Sequence, residues 1–481
     1  MTDYGLLEPG THRVASMCDD DALLRCLVEA EVAWVRAQAA VGLVPEEHAR
    51  AVSAVVEPRI WERAFDPADI AARAEAGGNP VIPMLADLRE AVRTIDPEAV
   101  RWIHRGLTSQ DVMDTGMMLM ARHCLRVIDA GLGAVADALA ALAGAHRNTP
   151  AVARTLTQQA LPSVFGLRCA RWLTGILDAR DELARQHPAV AVGGAAGTLA
   201  GTATVVEPLV DDGGFLSPGD PDGRIAQEVD RLNAAWAAEL GLAPAPHVWH
   251  TARGPIQHLG SALAGTASAM GTIANDVLLL SRPEIGELRE PTAPGRGVSS
   301  AMPQKQNPVL SVLLKRTALT APQLAAQLFV AGSAYVDERP DGAWHAEWPA
   351  VRGLLRLVSS GVLHCQELVE GLQVFPEAMM RNLEAAGPGV VAERISAVLA
   401  PVVTTADPGI SGKSAVQRAI GEGAGDTTST VELLLGLTEG ARLPDGRAVT
   451  RELVDGLCDP GSYTGLGDHL IDAALQRYDQ D

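Results

Sequence analysis

Apolar residues recur along most of the chain at the three- and four-residue spacing of amphipathic helices. Over 16–57 they fall at positions i, i+3, i+4 and i+7. Asp19–Asp21 stand at the start of this stretch, where carboxylates favour a helix N-terminus. Gly42 and Pro45 divide the stretch into two predicted helices. The sequence GGNPVIP, over 77–83, interrupts the pattern and predicts a loop.

From about residue 109 the apolar spacing continues over much longer stretches. Several of them exceed about 25 residues, which is longer than a typical globular helix. Helices of this length bury their apolar faces against each other, as in a bundle. We therefore predict an all-α fold with a long central helix bundle. The predicted long helices cover 109–146, 157–186, 222–240, 251–281 and 305–332.

The helical pattern also suggests how the chain is divided. A glycine-rich stretch at 192–221 interrupts it, but no strand pattern precedes the glycines, so a phosphate-binding cradle is not expected there. Beyond about residue 350 the predicted helices become shorter. We expect an N-terminal helical domain at 1–108, a central long-helix domain at 109–350 and a C-terminal helical domain at 351–481.

Composition and charge support helix and exclude several classes of partner. Hydrophobic residues make up 47% of the chain and aromatic residues only 4%, with Ala, Val and Leu dominant. The net charge of −20 argues against binding to nucleic acid or to anionic lipid. A small anionic substrate stays compatible with this charge, because a few cations can dominate a desolvated cleft.

Cysteine usage and the N-terminus bear on the cellular compartment. None of the six cysteines forms a CxxC pair, so neither a disulfide framework nor a zinc site is expected. The start, MTDYGLLEPGTHR, lacks the pattern of a secretory signal. No apolar run approaches the length of a membrane span without a charge or a break. We expect a cytoplasmic protein without a membrane segment.

One polar loop, GRGVSSAMPQKQNP at 295–308, lies between two long predicted helices. A serine hydroxyl is a weak base unless its surroundings stabilise the alkoxide. Lys305 is a plausible source of that stabilisation for Ser299 or Ser300, and Asn307 adds a neutral donor. The alternative is a surface loop with ordinary polar residues.

Two further polar stretches lie at predicted helix starts. In IHRGLTSQDVMDTG, over 103–116, Thr108 or Ser109 could cap the helix with Asp111 in its first turn. A helix N-terminus also binds carboxylates through its free N–H groups. The stretch ARTLTQQALPSVFG, over 153–166, clusters polar residues around a second predicted start. Caps and a solvated face would explain both stretches equally well.

Together the three stretches resemble the signature regions of the fumarase/aspartase superfamily. GVSSAMPQKQNP is similar to the GSSxMPxKxNP loop of that superfamily, while GLTSQD and RTLTQQALP resemble its first and second regions. Their order and spacing match over nearly the whole chain. Within the superfamily, GNPVIP, GGAAGTLA, WHTARGPI and GAWHAEWPA resemble the branch of 3-carboxy-cis,cis-muconate cycloisomerases.

This resemblance implies a three-domain all-α fold that assembles into a homotetramer, with each active site drawing on three chains. It implies a small anionic di- or tricarboxylate as substrate, and neither a metal nor an organic cofactor. Ser299 corresponds to the general base, and Lys305 and Asn307 to the groups that hold a substrate carboxylate as it becomes an enolate. His104 corresponds to a further active-site residue. The implied substrate contacts are Thr108, Ser109, Arg154, Thr155, Gln158, His250, Ser300, Met302, Asn307 and Arg339.

The chain departs from the family pattern at one chemically informative position. The second region usually reads RTHxQ, and its histidine serves as an acid for the leaving group. Leu156 stands there and cannot donate a proton. A leaving group of high pKa, such as hydroxide or an amine, needs that help, whereas a stable anion does not. His104 or His250 could supply the missing acid, so the residues leave this point open.

Two reactions fit a leaving group that departs as a stable anion. One is the elimination of nitrous acid from nitrosuccinate, which gives fumarate; the other is the cycloisomerisation of a carboxymuconate. Gln304 stands where the muconate enzymes usually carry histidine, which favours the first reaction. Another succinyl lyase, of the adenylosuccinate type, and a catalytically inactive homologue are further alternatives.

Overall fold

The computed structural model describes residues 5–210, 223–299, 301–302, 304–407, 409–423 and 425–480. Within these residues the chain is mostly helical with a few short strands, as the apolar spacing predicts. The helices are α1 (Ala15–Cys18), α2 (Asp20–Ala40), α3 (Glu46–Ser53), α4 (Pro58–Ala64), α5 (Pro67–Gly77), α6 (Val81–Arg93), α7 (Ser109–Ala145), α8 (Phe165–Ala184), α9 (Ala200–Val206), α10 (Arg224–Leu240), α11 (Gly254–Leu280), α12 (Val309–Gly332), α13 (Gly342–Glu370), α14 (Pro376–Glu384), α15 (Ala392–Ala406), α16 (Gly412–Glu422), α17 (Thr427–Leu437), α18 (Arg451–Cys458) and α19 (Gly467–Tyr478). The strands are β1 (Pro150–Thr155), β2 (Gln158–Val164), β3 (Leu288–Arg289) and β4 (Gln373–Val374).

The helix start predicted from the aspartates is confirmed. Asp19 is the N-cap of α2, and its carboxylate accepts a hydrogen bond from the Ala22 N–H at 2.9 Å. Asp20 and Asp21 occupy the first turn, where they interact favourably with the helix dipole. Pro45 directly precedes α3, so the predicted division into two helices is also confirmed.

The helix predicted over 157–186 is wrong in its first part. β1 and β2 form an antiparallel hairpin there, and helix α8 begins only at Phe165. Pro162 lies inside the mispredicted stretch, where its ring would disrupt a helix interior but is accommodated in a two-stranded edge. On the partner strand, Val152 is buried among the apolar residues of the C-terminal helices, so tertiary packing favours the hairpin.

The chain divides by its internal contacts into two compact units, each made of segments that are separate in sequence. Unit 1 comprises Met1–Leu132, Ala179–Gly271 and Leu313–His364, and unit 2 comprises Gly133–Asp178, Thr272–Val312 and Cys365–Asp481. The three predicted domains are continuous in sequence, whereas each of these units combines several segments. The domain boundaries therefore stay a prediction.

Unit 1 is held together by buried tryptophans and one buried ion network. Trp34 of α2 and Trp236 of α10 meet edge to face, with ring centroids 5.0 Å apart. Before α11, the Arg253 guanidinium lies 2.6 Å from Asp114 of α7 and 2.6 Å from Glu347 of α13. Burial by itself lowers the pKa of Arg253, but the charge of Asp114 and the hydrogen bonds to both carboxylates outweigh it, so this pKa is raised. Arg253 therefore stays charged and ties α7 to α13.

Three helical stretches are long and apolar enough, by length and composition alone, to cross a membrane. They are Ser109–Ala145, Gly254–Leu280 and Pro388–Ala406. The sequence predicts no membrane segment, on the ground that no apolar run of that length lacks a charge or a break. In α7 only 39% of the most apolar window is buried within the single chain. The same helix also carries fully buried carboxylates at Asp111 and Asp114, which bind partners inside unit 1.

Candidate active site

The first signature region is built around the carboxylate of Asp111. Asp111 lies in the first turn of α7, and its Oδ2 accepts the N–H of Thr108 at 2.7 Å. This is the backward bond of a capping box, in which an acidic side chain satisfies a free N–H at the helix start. Thr108 and Ser109 bring two hydroxyls to this helix start. Both lie at the helix N-terminus, as the sequence predicts.

The same carboxylate joins two distant segments to this helix start. Asp111 Oδ1 accepts the N–H of Gly193 at 2.8 Å, and Oδ2 lies 3.2 Å from the N–H of Gly194. His250 Nε2 lies 2.7 Å from Asp111 Oδ1, and the side chain of His250 is 1% exposed. The backbone of His250 is also fixed, because its carbonyl accepts a hydrogen bond from Gln110 at 2.9 Å. The predicted substrate contact His250 thus lies beneath Thr108 and Ser109 with its imidazole turned onto Asp111.

Gly193 is required by this packing. A Cβ placed on it would lie 2.6 Å from Cε1 and 2.8 Å from Nδ1 of His250. Any other residue would push the imidazole away from Asp111. The glycine-rich stretch identified in the sequence therefore serves close packing around a buried histidine at this point.

His104 lies four residues before Thr108 and has an unusual backbone. Its φ is 60°, in the left-handed region that costs a non-glycine residue about 1–3 kcal/mol. Its Nδ1 lies 2.6 Å from Oε1 of Glu31, which is fully buried in α2. Sequence reasoning missed Glu31. A single acidic residue on the apolar face of the first long helix was the available signal.

The second signature region is the turn of the β1–β2 hairpin, with Arg154, Thr155 and Gln158 at its end. Arg154 forms a bidentate ion pair with Glu287, at 2.7 Å and 3.3 Å. Asn382 of α14 donates to the same Glu287 carboxylate at 2.7 Å. The predicted substrate contact Arg154 is therefore engaged within unit 2, where it anchors the hairpin, whereas Thr155 and Gln158 are exposed.

Leu156 and Thr157 form the two-residue turn of this hairpin. Their φ angles are 49° and 72°, the left-handed values of a tight type I′ connection that glycine or asparagine usually occupies. The side chain of Leu156 is 95% exposed. The residue that replaces the family's histidine is thus held at the end of the hairpin, directed away from the core of its own chain.

The third signature region, the serine loop (residues 295–308), is closed by its own hydrogen bonds. The Asn307 N–H donates to the Gly297 carbonyl at 2.8 Å, and the Asn307 side chain donates to the same carbonyl at 3.1 Å. Ser299 Oγ accepts the Met302 N–H at 3.2 Å, so its own O–H remains free to donate. Lys305 is exposed on the same loop. Ser300 lies outside the described residues.

Both ends of the serine loop are fixed by Glu290, which sequence reasoning also missed. This buried carboxylate precedes the loop and accepts the N–H groups of Leu310 and Ser311 at 2.9 Å and 2.7 Å. These groups are free donors in the first turn of α12, where a carboxylate is favoured. The cap thereby joins the residues before the loop to the helix that follows it.

The predicted site residues therefore fall into two groups. In unit 1, one segment carries His104, Thr108 and Ser109, with His250 joined to it through Asp111. Arg339 belongs to the same unit but lies exposed between α12 and α13. In unit 2, the hairpin carries Arg154, Thr155 and Gln158, and the serine loop carries Ser299, Met302, Lys305 and Asn307. The roles predicted for these residues stay predictions.

The described residues contain no group of three or more His, Cys, Asp or Glu side chains that could hold a metal ion. What unit 2 does provide is a hydroxyl, an ammonium and an amide on one short loop. These groups can remove a proton and hold a carboxylate. The hydroxyl pair at the start of α7, in unit 1, can bind a carboxylate.

Known proteins that are similar to this chain belong to the family that the signature regions indicate. The chain matches the sequence profile of a family described as lyase over residues 14–213 and 223–321. It is 42% identical over 480 residues to nitrosuccinate lyase from Streptomyces davaonensis, covering 99% of this chain and 95% of that protein. It is 36% identical to 3-carboxy-cis,cis-muconate cycloisomerase from Bradyrhizobium diazoefficiens, covering 96% of this chain and 95% of the other. The crystal structure of 3-carboxy-cis,cis-muconate lactonizing enzyme from Pseudomonas putida superposes with a TM-score of 0.81 at 28% identity, covering 99% of both chains.

Proposed function

The chain belongs to the fumarase/aspartase superfamily of lyases, and from that premise we propose that it cleaves nitrosuccinate to fumarate and nitrite. The bond broken in this reaction joins carbon to the nitro nitrogen. The substrate is a small dicarboxylate, and members of the family act on small carboxylates. A relative at 42% identity that bears this activity supports the proposal.

The observation that carries the proposal is Leu156 at the end of the β1–β2 hairpin. Its side chain is 95% exposed and so is presented to whatever lies beyond the hairpin. An alkyl group cannot protonate a leaving group. Nitrite leaves as a stabilised anion of low basicity and needs no proton at the moment the bond breaks. Hydroxide does need one, which disfavours the elimination of water from a hydroxysuccinate.

In the proposed mechanism Ser299 acts as the base. It removes a proton from the carbon next to one carboxylate, and that carboxylate becomes enolate-like, held by Lys305 and Asn307. The electron pair of the broken C–H bond then forms the new C=C bond. As it does so, the C–N bond breaks, and nitrite departs with the electrons of that bond. Thr108 and Ser109 offer their hydroxyls to a substrate carboxylate at the start of α7.

The serine needs a dry and charged environment to act as a base. Ser299 Oγ already accepts the Met302 N–H, a contact that stabilises negative charge on this oxygen once its proton has gone. Lys305 supplies a full positive charge on the same loop. Closure of this loop over the substrate would exclude water and strengthen both interactions.

The test is direct. The purified protein is incubated with nitrosuccinate, fumarate is followed by its ultraviolet absorbance, and nitrite is measured independently by diazo coupling. We expect both products to appear in equal amounts. Fumarate without a matching amount of nitrite would contradict this stoichiometry, and the absence of both products would refute the proposal.

A second candidate, cycloisomerisation of 3-carboxy-cis,cis-muconate, is favoured by one observation. The chain superposes along 99% of its length on an enzyme of that name, with a TM-score of 0.81. In this reaction a carboxylate adds to carbon, so an alkyl side chain at Leu156 is equally acceptable. Turnover of carboxymuconate in the absence of nitrosuccinate cleavage would establish this alternative.

We further propose that the protein works as a homotetramer with shared active sites in the cytoplasm. Only 39% of the most apolar part of α7 is buried within one chain, which leaves a long apolar surface for other copies to cover. Leu156 points away from its own chain, as expected for a residue that completes the site of a neighbour. The buried carboxylates of α7 favour a bundle in water over a membrane span.

A further inference from the structure

His104, on the segment that carries Thr108 and Ser109, forms an acid–imidazole pair with the buried Glu31 of α2. Glu31 is 0% exposed, and its Oε1 lies 2.6 Å from Nδ1 of His104. An ionised carboxylate can only accept hydrogen bonds. With Glu31 ionised, Nδ1 of His104 carries the hydrogen of this contact, and Nε2 faces away from Glu31. A hydrogen bond to one ring nitrogen of a histidine commonly decides which nitrogen carries the proton and which one faces a ligand.

The pair is not needed to hold this segment in place, because two other bonds from the same helix do so. Trp34 Nε1 donates to the carbonyl of Arg105 at 2.9 Å, and Gln38 Nε2 donates to the carbonyl of Trp102 at 3.2 Å. These bonds fix the backbone on both sides of His104. Glu31 adds control over the imidazole itself.

The pair is also costly for a purely structural contact. Oε2 of Glu31 is buried and has no hydrogen-bond partner among the described residues. A buried carboxylate with one unsatisfied oxygen lowers the stability of the folded chain. An apolar residue at the same position would usually lower it less. His104 in addition holds a left-handed backbone with φ of 60°. Strain and an unsatisfied charge in one place are typical of functional sites.

We propose that Glu31 is a positioning residue for the elimination reaction. It fixes the Nδ1–H form of His104, so that Nε2 is presented beside the hydroxyls of Thr108 and Ser109 as a hydrogen-bonding group for the substrate. His104 is the residue that contacts substrate, and Glu31 acts through it. The inference deepens the proposed function and rests on it for the nature of the substrate.

The first experiment is a double-mutant cycle with nitrosuccinate as substrate. Glu31→Gln removes the charge and allows an amide to donate to Nδ1, so that the tautomer is no longer fixed. We expect kcat/KM to fall at least about tenfold in Glu31→Gln, as when an orienting carboxylate is removed from a histidine. His104→Ala should lose as much or more. The double variant should lose no more than His104→Ala alone, because Glu31 acts only through His104.

Glu29→Gln is the matched control. It makes the same chemical change on the same helix, but Glu29 pairs with Arg36 rather than with a histidine. Its kcat/KM should stay within about twofold of the wild type. Additive losses in the cycle, or an equal loss in the control, would mean that Glu31 has only a structural role.

The second experiment depends neither on the substrate nor on a variant at Glu31. The wild-type protein is labelled with ¹⁵N-histidine, and the signals of His104 are identified by their absence in His104→Ala. The nitrogen shifts and couplings should show hydrogen on Nδ1. An Nε2–H neutral form of His104 would overturn the inference. If nitrosuccinate is not cleaved, the proposed function fails, while this measurement still decides the role of Glu31.

Discussion

Replacing Leu156 with histidine restores the acid that the family usually carries, and the structure predicts its effects separately for folding and for chemistry. Leu156 is 95% exposed, so the change removes no packing within the chain. Its φ of 49° is better tolerated by histidine than by leucine. We therefore expect the free energy of unfolding to change by no more than about 0.5 kcal/mol.

The chemical effect depends on the leaving group. Each pKa unit of an unassisted leaving group costs up to about 1.4 kcal/mol in the barrier, and nitrite and hydroxide differ by about a dozen units. If only a tenth of the charge has developed, the difference is about 1.7 kcal/mol, or roughly twentyfold in rate. A positioned general acid typically contributes about 10²–10⁴-fold. Leu156→His should thus increase malate turnover by at least about a hundredfold and leave nitrosuccinate turnover within about tenfold of the wild type.

The assay follows fumarate by absorbance with nitrosuccinate and malate for the wild type, Leu156→His and Leu156→Asn. Asparagine is the matched control, because it is polar and tolerates the same backbone angles but carries no proton to give. Rapid release of fumarate from malate by the wild type would refute the reasoning. So would an equal gain in Leu156→Asn, since polarity alone would then account for the effect.

Three further predictions concern the base, the assembly and the response to acid. Ser299→Ala should abolish turnover and leave the circular dichroism spectrum unchanged; a loss of less than about tenfold would show that another group is the base. Light scattering should give the mass of a tetramer, and a fully active monomer would contradict the predicted assembly. Burial lowers the pKa of His146 in the folded state below its ordinary value of 6.5. Its neutral form therefore adds stability above that pH, and this stability is lost as the pH falls. Between about pH 7 and pH 5, Tm should fall further in the wild type than in His146→Asn, and equal falls would contradict this prediction.

The long helices could be predicted from sequence because their signal is local and repeated. The predicted start of α7 coincides with the observed one, and its predicted end differs by one residue, since apolar spacing persists across the whole segment. The hairpin was missed because its stability depends on residues far away in the chain. Arg154 meets Glu287 from 133 positions away, and no periodicity shows such a pairing. Pro162 is the local feature that argues against a helix in this stretch.

The sequence indicates which residues are candidates for the site, but not which side chains they form hydrogen bonds or ion pairs with. The motifs single out Ser299, Lys305 and Thr108 as candidates, because each motif is continuous in the sequence, and their roles stay predictions. Two buried carboxylates that bind these segments, Glu31 and Glu290, stand outside the motifs. Glu31 stands on the apolar face of α2, but its pairing with His104 is visible only in the folded chain. Such groups are found only once the fold has brought the segments together.

The clamp that Glu290 makes on the start of α12 has a kinetic consequence. With both ends of the serine loop tethered, opening breaks only the few hydrogen bonds inside the loop and leaves the helix start intact. A tethered segment of this size closes in about 10–100 ns, whereas a typical enzyme turns over about ten times per second. Even if local reordering slows closure by several orders of magnitude, the serine returns to its place many times within one catalytic cycle. The rate of turnover should therefore be set by bond breaking or product escape, and thickening the solvent with a viscogen should slow the enzyme only if escape is limiting.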